Sequence, residues 1–207
     1  MAKTEKLNYE NAHNYATNLW RYHEEETDSR LVLSNRMFGL VLLMGLETGA
    51  RISDLRKMKY SDIREMENKP MAFTIDFKVK KSNAYHKWVI SAELKSRIDI
   101  TREWMKAHYN YYGDNIFFNP INNGLFTRVW ASKRIAKANK LGKLGKIVDV
   151  AGSHSLRKAS AHYLYEKSRD LRLVQSFLKH KNINTTSKYL GLQEQEAIDK
   201  AISVLGY

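Results

Sequence analysis

The stretch HSLRKASAHYLYEKSRDLRLVQSFLKHKNINTTSKY, residues 154–189, carries the chain's most unusual concentration of chemically capable side chains. Residues three apart on a helix share a face, so His154 and Arg157 can address one ligand while Leu156, Ala161 and Leu164 look elsewhere. Asp170 fits the N-cap of a second helix over residues 171–179. Leu171, Val174, Phe177 and Leu178 form its apolar stripe, which runs out at His180. Asn184, Thr185 and Thr186 can start a short helix carrying Tyr189, ended by Gly191. Two histidines, an arginine and a tyrosine, with no cysteine and no acidic cluster beside them, suit phosphate chemistry without a metal: cations hold the non-bridging oxygens and a phenol attacks.

Composition points the same way. The 207 residues carry 35 Lys and Arg against 22 Asp and Glu, a net charge of +13, which favours a polyanionic partner. The cations bunch at 78–87 and at 128–146. Absence of cysteine excludes a disulfide framework and thiolate metal sites and fits a reducing cytoplasm. The longest apolar run, residues 37–46, is far short of the roughly 20 residues a membrane span needs.

Working outward, residues 9–25 read as an amphipathic helix with Ala12, Tyr15, Ala16, Leu19 and Trp20 on one side. Residues 31–46 are apolar all round and predict a buried core helix. A turn at Gly49 then presents Arg51 and Asp54 three residues apart. From Met71 to Val79 the period changes to two, with Phe73, Ile75, Phe77 and Val79 alternating against Thr74, Asp76 and Lys78; with residues 85–91 this predicts a lysine-rich hairpin. Further helices are predicted over residues 92–109, 126–140 and 194–205, and a short extended piece over 115–118. In the helix over 126–140, Val129, Trp130 and Ile135 are expected to face the core while Arg128, Lys133, Arg134 and Lys137 face out. The fold class is α+β, mainly α, with one small antiparallel sheet.

Two segments together resemble the tyrosine recombinase, or phage integrase, family. The first is H-x-L-R, then L-G-H, then Tyr nine residues after that His, matched by His154, Leu156, Arg157, Leu178, His180 and Tyr189. The second is Thr-Gly-x-Arg-Ile-Ser-[Glu/Asp]-Leu, matched at residues 48–55. The resemblance covers about residues 30–205 and departs at Lys179, where the family usually has Gly, and at Lys158, where His is common. It implies a helical recombinase catalytic domain over 29–207, including a C-terminal helix over 193–207. About thirty residues stand where most members carry a helical core-binding domain, here a short appendage over 1–28, so the chain is read either as naturally short or as a fragment.

The resemblance also implies roles. Arg51 and Arg157 neutralise the phosphate, His154 and His180 assist on it, Tyr189 is the nucleophile and Asp54 orients neighbouring cations. The catalytic lysine of the hairpin falls on Lys81, with Lys80 the alternative. Lys78, Lys80, Arg128, Lys133, Arg134, Lys137, Lys140 and Lys143 are candidates for DNA-backbone contacts. The implied reaction cleaves and rejoins double-stranded DNA through a 3′-phosphotyrosyl link, without cofactor, metal or ATP. Implied too are a tetramer on DNA, accessory DNA-bending proteins and a cytoplasmic, nucleoid-associated location. Two other readings remain at this stage: DNA relaxation like a type IB topoisomerase, and a catalytically idle DNA-binding module.

Overall fold

The computed structural model describes residues 7–21, 28–69, 71–79, 84–144, 152–192, 202 and 204–205. It divides into two compact units, Met1–Ser160 and Ala161–Tyr207.

In the first unit, helix α1 (Tyr9–Arg21) packs on helix α2 (Ser29–Thr48). Ala12, Ala16 and Trp20 are buried along α1, at the spacing the sequence predicts. Asp28 caps α2, its Oδ1 accepting from the Arg30 N–H at 2.9 Å. Gly39 allows the close crossing: a Cβ there would lie 2.9 Å from both the Ala16 carbonyl oxygen and the Trp20 Cβ. At 20 residues α2 is longer than the apolar run suggested, long and apolar enough to cross a bilayer. Its burial on every side, against α1 and the sheet and helices below, makes it the core of this unit.

A short helix α3 (Ile52–Leu55) follows, then three antiparallel strands in the order β1 (Ile63–Glu65), β2 (Ala72–Val79), β3 (Ala84–Ser91). Strand β1 lies outside the predicted hairpin and pairs Ile63 with Ile75. Across β2 and β3 the registers Phe73↔Ile90, Ile75↔Trp88 and Phe77↔His86 put the apolar alternation on one face. The Glu47 carboxylate of α2 accepts from the Ser91 N–H at 2.8 Å and hydroxyl at 2.9 Å. The same Ser91 Oγ caps helix α4 (Ala92–Tyr109), accepting from the Leu94 N–H at 3.1 Å, so one serine fixes the sheet, α2 and α4 together. Two-residue strands β4 (Phe118–Asn119) and β5 (Gly124–Leu125) pair just before helix α5 (Arg128–Lys140), capped by Thr127.

The core of this unit also holds cations. Arg36 is buried between the rings of Trp20 and Trp104, its guanidinium carbon 5.6 and 5.0 Å from their centroids, and burial lowers its pKa to about 10. The expected outward face of α5 is corrected in two places. Val129 is exposed, while Arg134 turns inward over the Phe38 ring at 4.8 Å and the Trp130 ring at 5.5 Å. It donates to the Ser34 hydroxyl and, at 2.8 Å, to Asn35 Oδ1, and burial lowers its pKa. A guanidinium can stack on aromatic faces, which charge patterning alone does not show.

The division between the units falls within helix α6 (Ser153–Ser168). The second unit continues with helices α7 (Leu171–Leu178) and α8 (Ile183–Leu190). Its buried centre is small: Ala161, Val174, Leu178 and Leu190, with Leu164, Tyr165, Phe177 and Tyr189 packed around it. Of the expected C-terminal helix, positions 202, 204 and 205 are described, as helical and exposed; the rest lies outside the described residues.

Candidate active site

Within the first unit the cationic group is built on the turn that ends α2. Thr48 donates to the Met44 carbonyl at 2.5 Å and accepts from the Ala50 N–H at 3.1 Å, and Gly49 takes a left-handed conformation with φ 59°. These bonds set Arg51 as the N-cap residue of α3, with its side chain exposed. Arg157 comes to the same turn from α6. Its side chain is buried and its Nη1 donates to the Gly49 carbonyl oxygen, so one guanidinium fastens the loop that carries another. The adjacent helices are held by Leu156, which would come within 3.3 Å of a Cβ at Gly45, and by the Ser160 hydroxyl donating to the Gly45 carbonyl at 3.2 Å.

His154, one turn before Arg157, is exposed as a residue, yet its surroundings act on the ring. Burial lowers its pKa from the ordinary value, and the guanidinium groups of Arg157, Arg51 and Arg128 lower it further. The imidazole is thus biased towards its neutral form amid three permanent positive charges, a setting suited to an anionic oxygen and to accepting a proton. Asp54 sits in the first turn of α3, its N–H bonded to the Arg51 carbonyl at 2.8 Å, and makes no ion pair among the described residues.

The second unit holds His180 and Tyr189. Asp170 caps α7, accepting from the N–H groups of Arg172 and Leu173 at 2.8 and 3.0 Å. Lys179 ends that helix in the left-handed conformation, φ 54°, its N–H bonded to the Gln175 and Ser176 carbonyls. The lysine therefore takes the backbone shape for which glycine is favoured. His180 follows, fixed by Gln175, whose Nε2 donates to the His180 carbonyl at 3.1 Å, and by Thr186, whose buried Oγ1 lies 3.0 Å from Nδ1. Helix α8 starts one residue earlier than predicted because Asn182 caps it, accepting from the Asn184 N–H at 2.8 Å. Gly191, at φ 72°, closes it. The His180 and Tyr189 rings meet edge to face, with centroids 5.6 Å apart.

Of the other predicted residues, Lys133, Lys137, Lys140 and Lys143 are exposed along α5 and the turn after it. Lys78 lies in β2, paired with Tyr85; its side chain, like all of Lys80 and Lys81, lies outside the described residues. Sequence reasoning missed Thr186 as the partner of His180 and the bearing of the Arg128 charge on His154. A hydroxyl six residues after the histidine was the available signal for the first; the second depends on tertiary packing alone.

Residues 17–196 match the phage integrase family. The chain belongs to that family. A relative of Bacillus subtilis named "Probable integrase/recombinase YoeC" is 24% identical over 171 residues, 82% of this chain and 86% of that protein. Tyrosine recombinase XerH of Helicobacter pylori is 26% identical over 182 residues, 86% of this chain but 46% of XerH, so the chain spans about half of that relative. The fold matches the crystal structure of XerH site-specific recombinase bound to difH substrate, with TM-score 0.73, 23% identity, and coverage of 96% of this chain and 54% of that one. It also matches XerA recombinase, with TM-score 0.66, 17% identity, and coverage of 98% and 65%. This phage-integrase chain has the expected α+β, mainly helical catalytic fold.

Proposed function

We propose that the chain is the catalytic part of a site-specific DNA recombinase that cleaves and rejoins strands through Tyr189. The observation that carries this reading is a cationic group drawn from segments far apart in sequence: Arg157 is bonded to the turn that carries Arg51, and the charges of Arg157, Arg51 and Arg128 all bear on His154, one of the two histidines of the family signature. A phosphodiester is the anion that such a group fits, and the family relatives are named as recombinases.

In the proposed reaction the Tyr189 hydroxyl oxygen attacks a scissile phosphorus and its proton passes to a base, for which His154 in its neutral form is suited. The bond from phosphorus to the 5′ oxygen breaks, and that oxygen leaves with a proton supplied by Lys81. The products are a 3′-phosphotyrosyl link and a 5′ hydroxyl. Attack by another strand's 5′ hydroxyl reverses the sequence and releases Tyr189. One phosphoester bond is exchanged for another at each step, so ATP has no role, and the charge on the phosphoryl oxygens is met by Arg51 and Arg157, with His180 donating to the same phosphate. Exposed Lys133, Lys137, Lys140 and Lys143 contact the backbone of the flanking duplex. Double-stranded DNA is the substrate, held by four protomers with accessory bending proteins.

The test uses 5′-labelled duplexes tiled across the DNA flanking the chain's own gene. The wild-type chain is expected to form a covalent adduct on denaturing gels, with or without EDTA. Tyr189→Phe should bind the same DNA and form none. An adduct that survives in this variant, or that maps to Tyr163, Tyr165 or Tyr207, overturns the assignment.

A further inference from the structure

Arg128 occupies an uneconomical place for a surface cation. It is the first residue of α5, where the helix dipole favours negative charge, and the first turn of α5 holds no acidic residue. Its side chain is exposed, and no carboxylate pairs with it among the described residues. Packing then fixes where that residue stands. Helices α3 and α5 share one small apolar cavity, lined by Ile52 and Leu55 from the first and by Thr127, Trp130 and Ala131 at the start of the second. Arg51 immediately precedes α3 and Arg128 opens α5, so two exposed arginines stand at the starts of two helices packed together. Arg51, like Arg128, has no acidic partner among the described residues. The charge of Arg128 is felt at His154, together with those of Arg51 and Arg157.

We infer that Arg128 is a further catalytic residue, binding a non-bridging oxygen of the scissile DNA phosphate alongside Arg51 and Arg157. This rests on the recombinase reading above and deepens it. The other cations of α5, Lys133, Lys137 and Lys140, lie further along the helix and meet flanking backbone, whereas Arg128 meets the phosphate that reacts. Its guanidinium presents a planar fork, which suits two oxygens of one phosphate better than an ammonium does. Its second effect is on His154: a fixed positive charge nearby keeps the imidazole ready to take a proton.

The experiment measures the single-turnover rate of adduct formation at saturating protein, on a nicked, 5′-labelled duplex that the wild-type chain cleaves. Arg128→Ala is expected to be slower by about 10²-fold, the order found when one transition-state donor is removed, with Arg128→Lys between it and wild type. With a methylphosphonate at the scissile position, the oxygen to be neutralised is gone, and the Arg128→Ala defect should shrink at least about tenfold. In the same variant the acid limb of the pH–rate profile should move to higher pH, because His154 loses one of the charges that hold its pKa down. Thermal melting checks that each variant folds, and Arg128→Gln replaces Arg128→Ala if the latter does not. A rate at saturation equal to wild type, with only weaker binding, makes Arg128 a groove contact and overturns the inference. So does a defect of equal size on the methylphosphonate. A wild-type chain that forms no adduct overturns the recombinase reading, and this inference with it.

Discussion

The two units of the chain hold their candidate site residues by different means. In the first, Arg51, Arg128, His154 and Arg157 stand on elements packed around a large core, with α2 buried on all sides and the Gly49 turn fastened by Arg157. In the second, His180 and Tyr189 stand on two eight-residue helices over four buried side chains. An eight-residue helix is marginal in isolation, so the helix ends carry a large share of the ordering. Asp170, Lys179, Asn182 and Gly191 each satisfy end groups there. The candidate anion-binding group is thus positioned by bulk packing, and the proposed nucleophile by capping.

The largest effect should come from Arg51→Ala. The side chain is exposed and supports no packing, so adduct formation should fall about 10²–10³-fold while the melting temperature stays close to wild type. A comparable fall in stability would show that the two roles are not separate in the first unit.

Capping is tested by Asp170→Ala, expected to cost about 1 kcal/mol, read as faster hydrogen exchange in α7 and α8 than in α2 or α4. Uniform acceleration across both units would break the contrast. A smaller change of opposite sign is expected of Lys179→Gly. At φ 54° glycine avoids the strain that a side chain brings, and the variant should gain about 0.5–1 kcal/mol, seen as slower exchange in the same helices.

His154 gives the smallest effect and a defined sign. Its folded pKa lies below its unfolded value, so the unfolded chain binds the proton more readily. Its contribution favours folding least at acid pH: as pH drops below about 6.5, stability falls, more in wild type than in His154→Gln. An NMR titration of the ring should give a midpoint below that of an ordinary histidine. A midpoint above it would remove the electrostatic argument for the cluster.

Much of this was legible beforehand, and the misses have physical causes. Helix α4 falls where predicted because Ser91 and Asn110 mark both ends, one by its hydroxyl cap and the other by a left-handed φ of 52°. The alternation from Phe73 to Phe77 fixed the face of β2, but β1 is three residues long and too short to show a period. The candidate site residues His154, Arg157, His180 and Tyr189 stood out because their spacings are local. Arg128 and Arg134 did not separate in the sequence, being two cations on one helix. In the fold one opens α5, with its charge bearing on His154, while the other lies over Phe38 and Trp130.

The burial of α2 bears on how the protein is made. On the ribosome this apolar helix emerges after α1 but ahead of β3, α4, α5 and α6, the elements that complete its cover. At a synthesis rate of about 5–20 residues per second, it waits on the order of ten seconds before the last of them appears. For that interval a segment with the length and hydropathy of a membrane span has only part of its folded cover, α1 and α3.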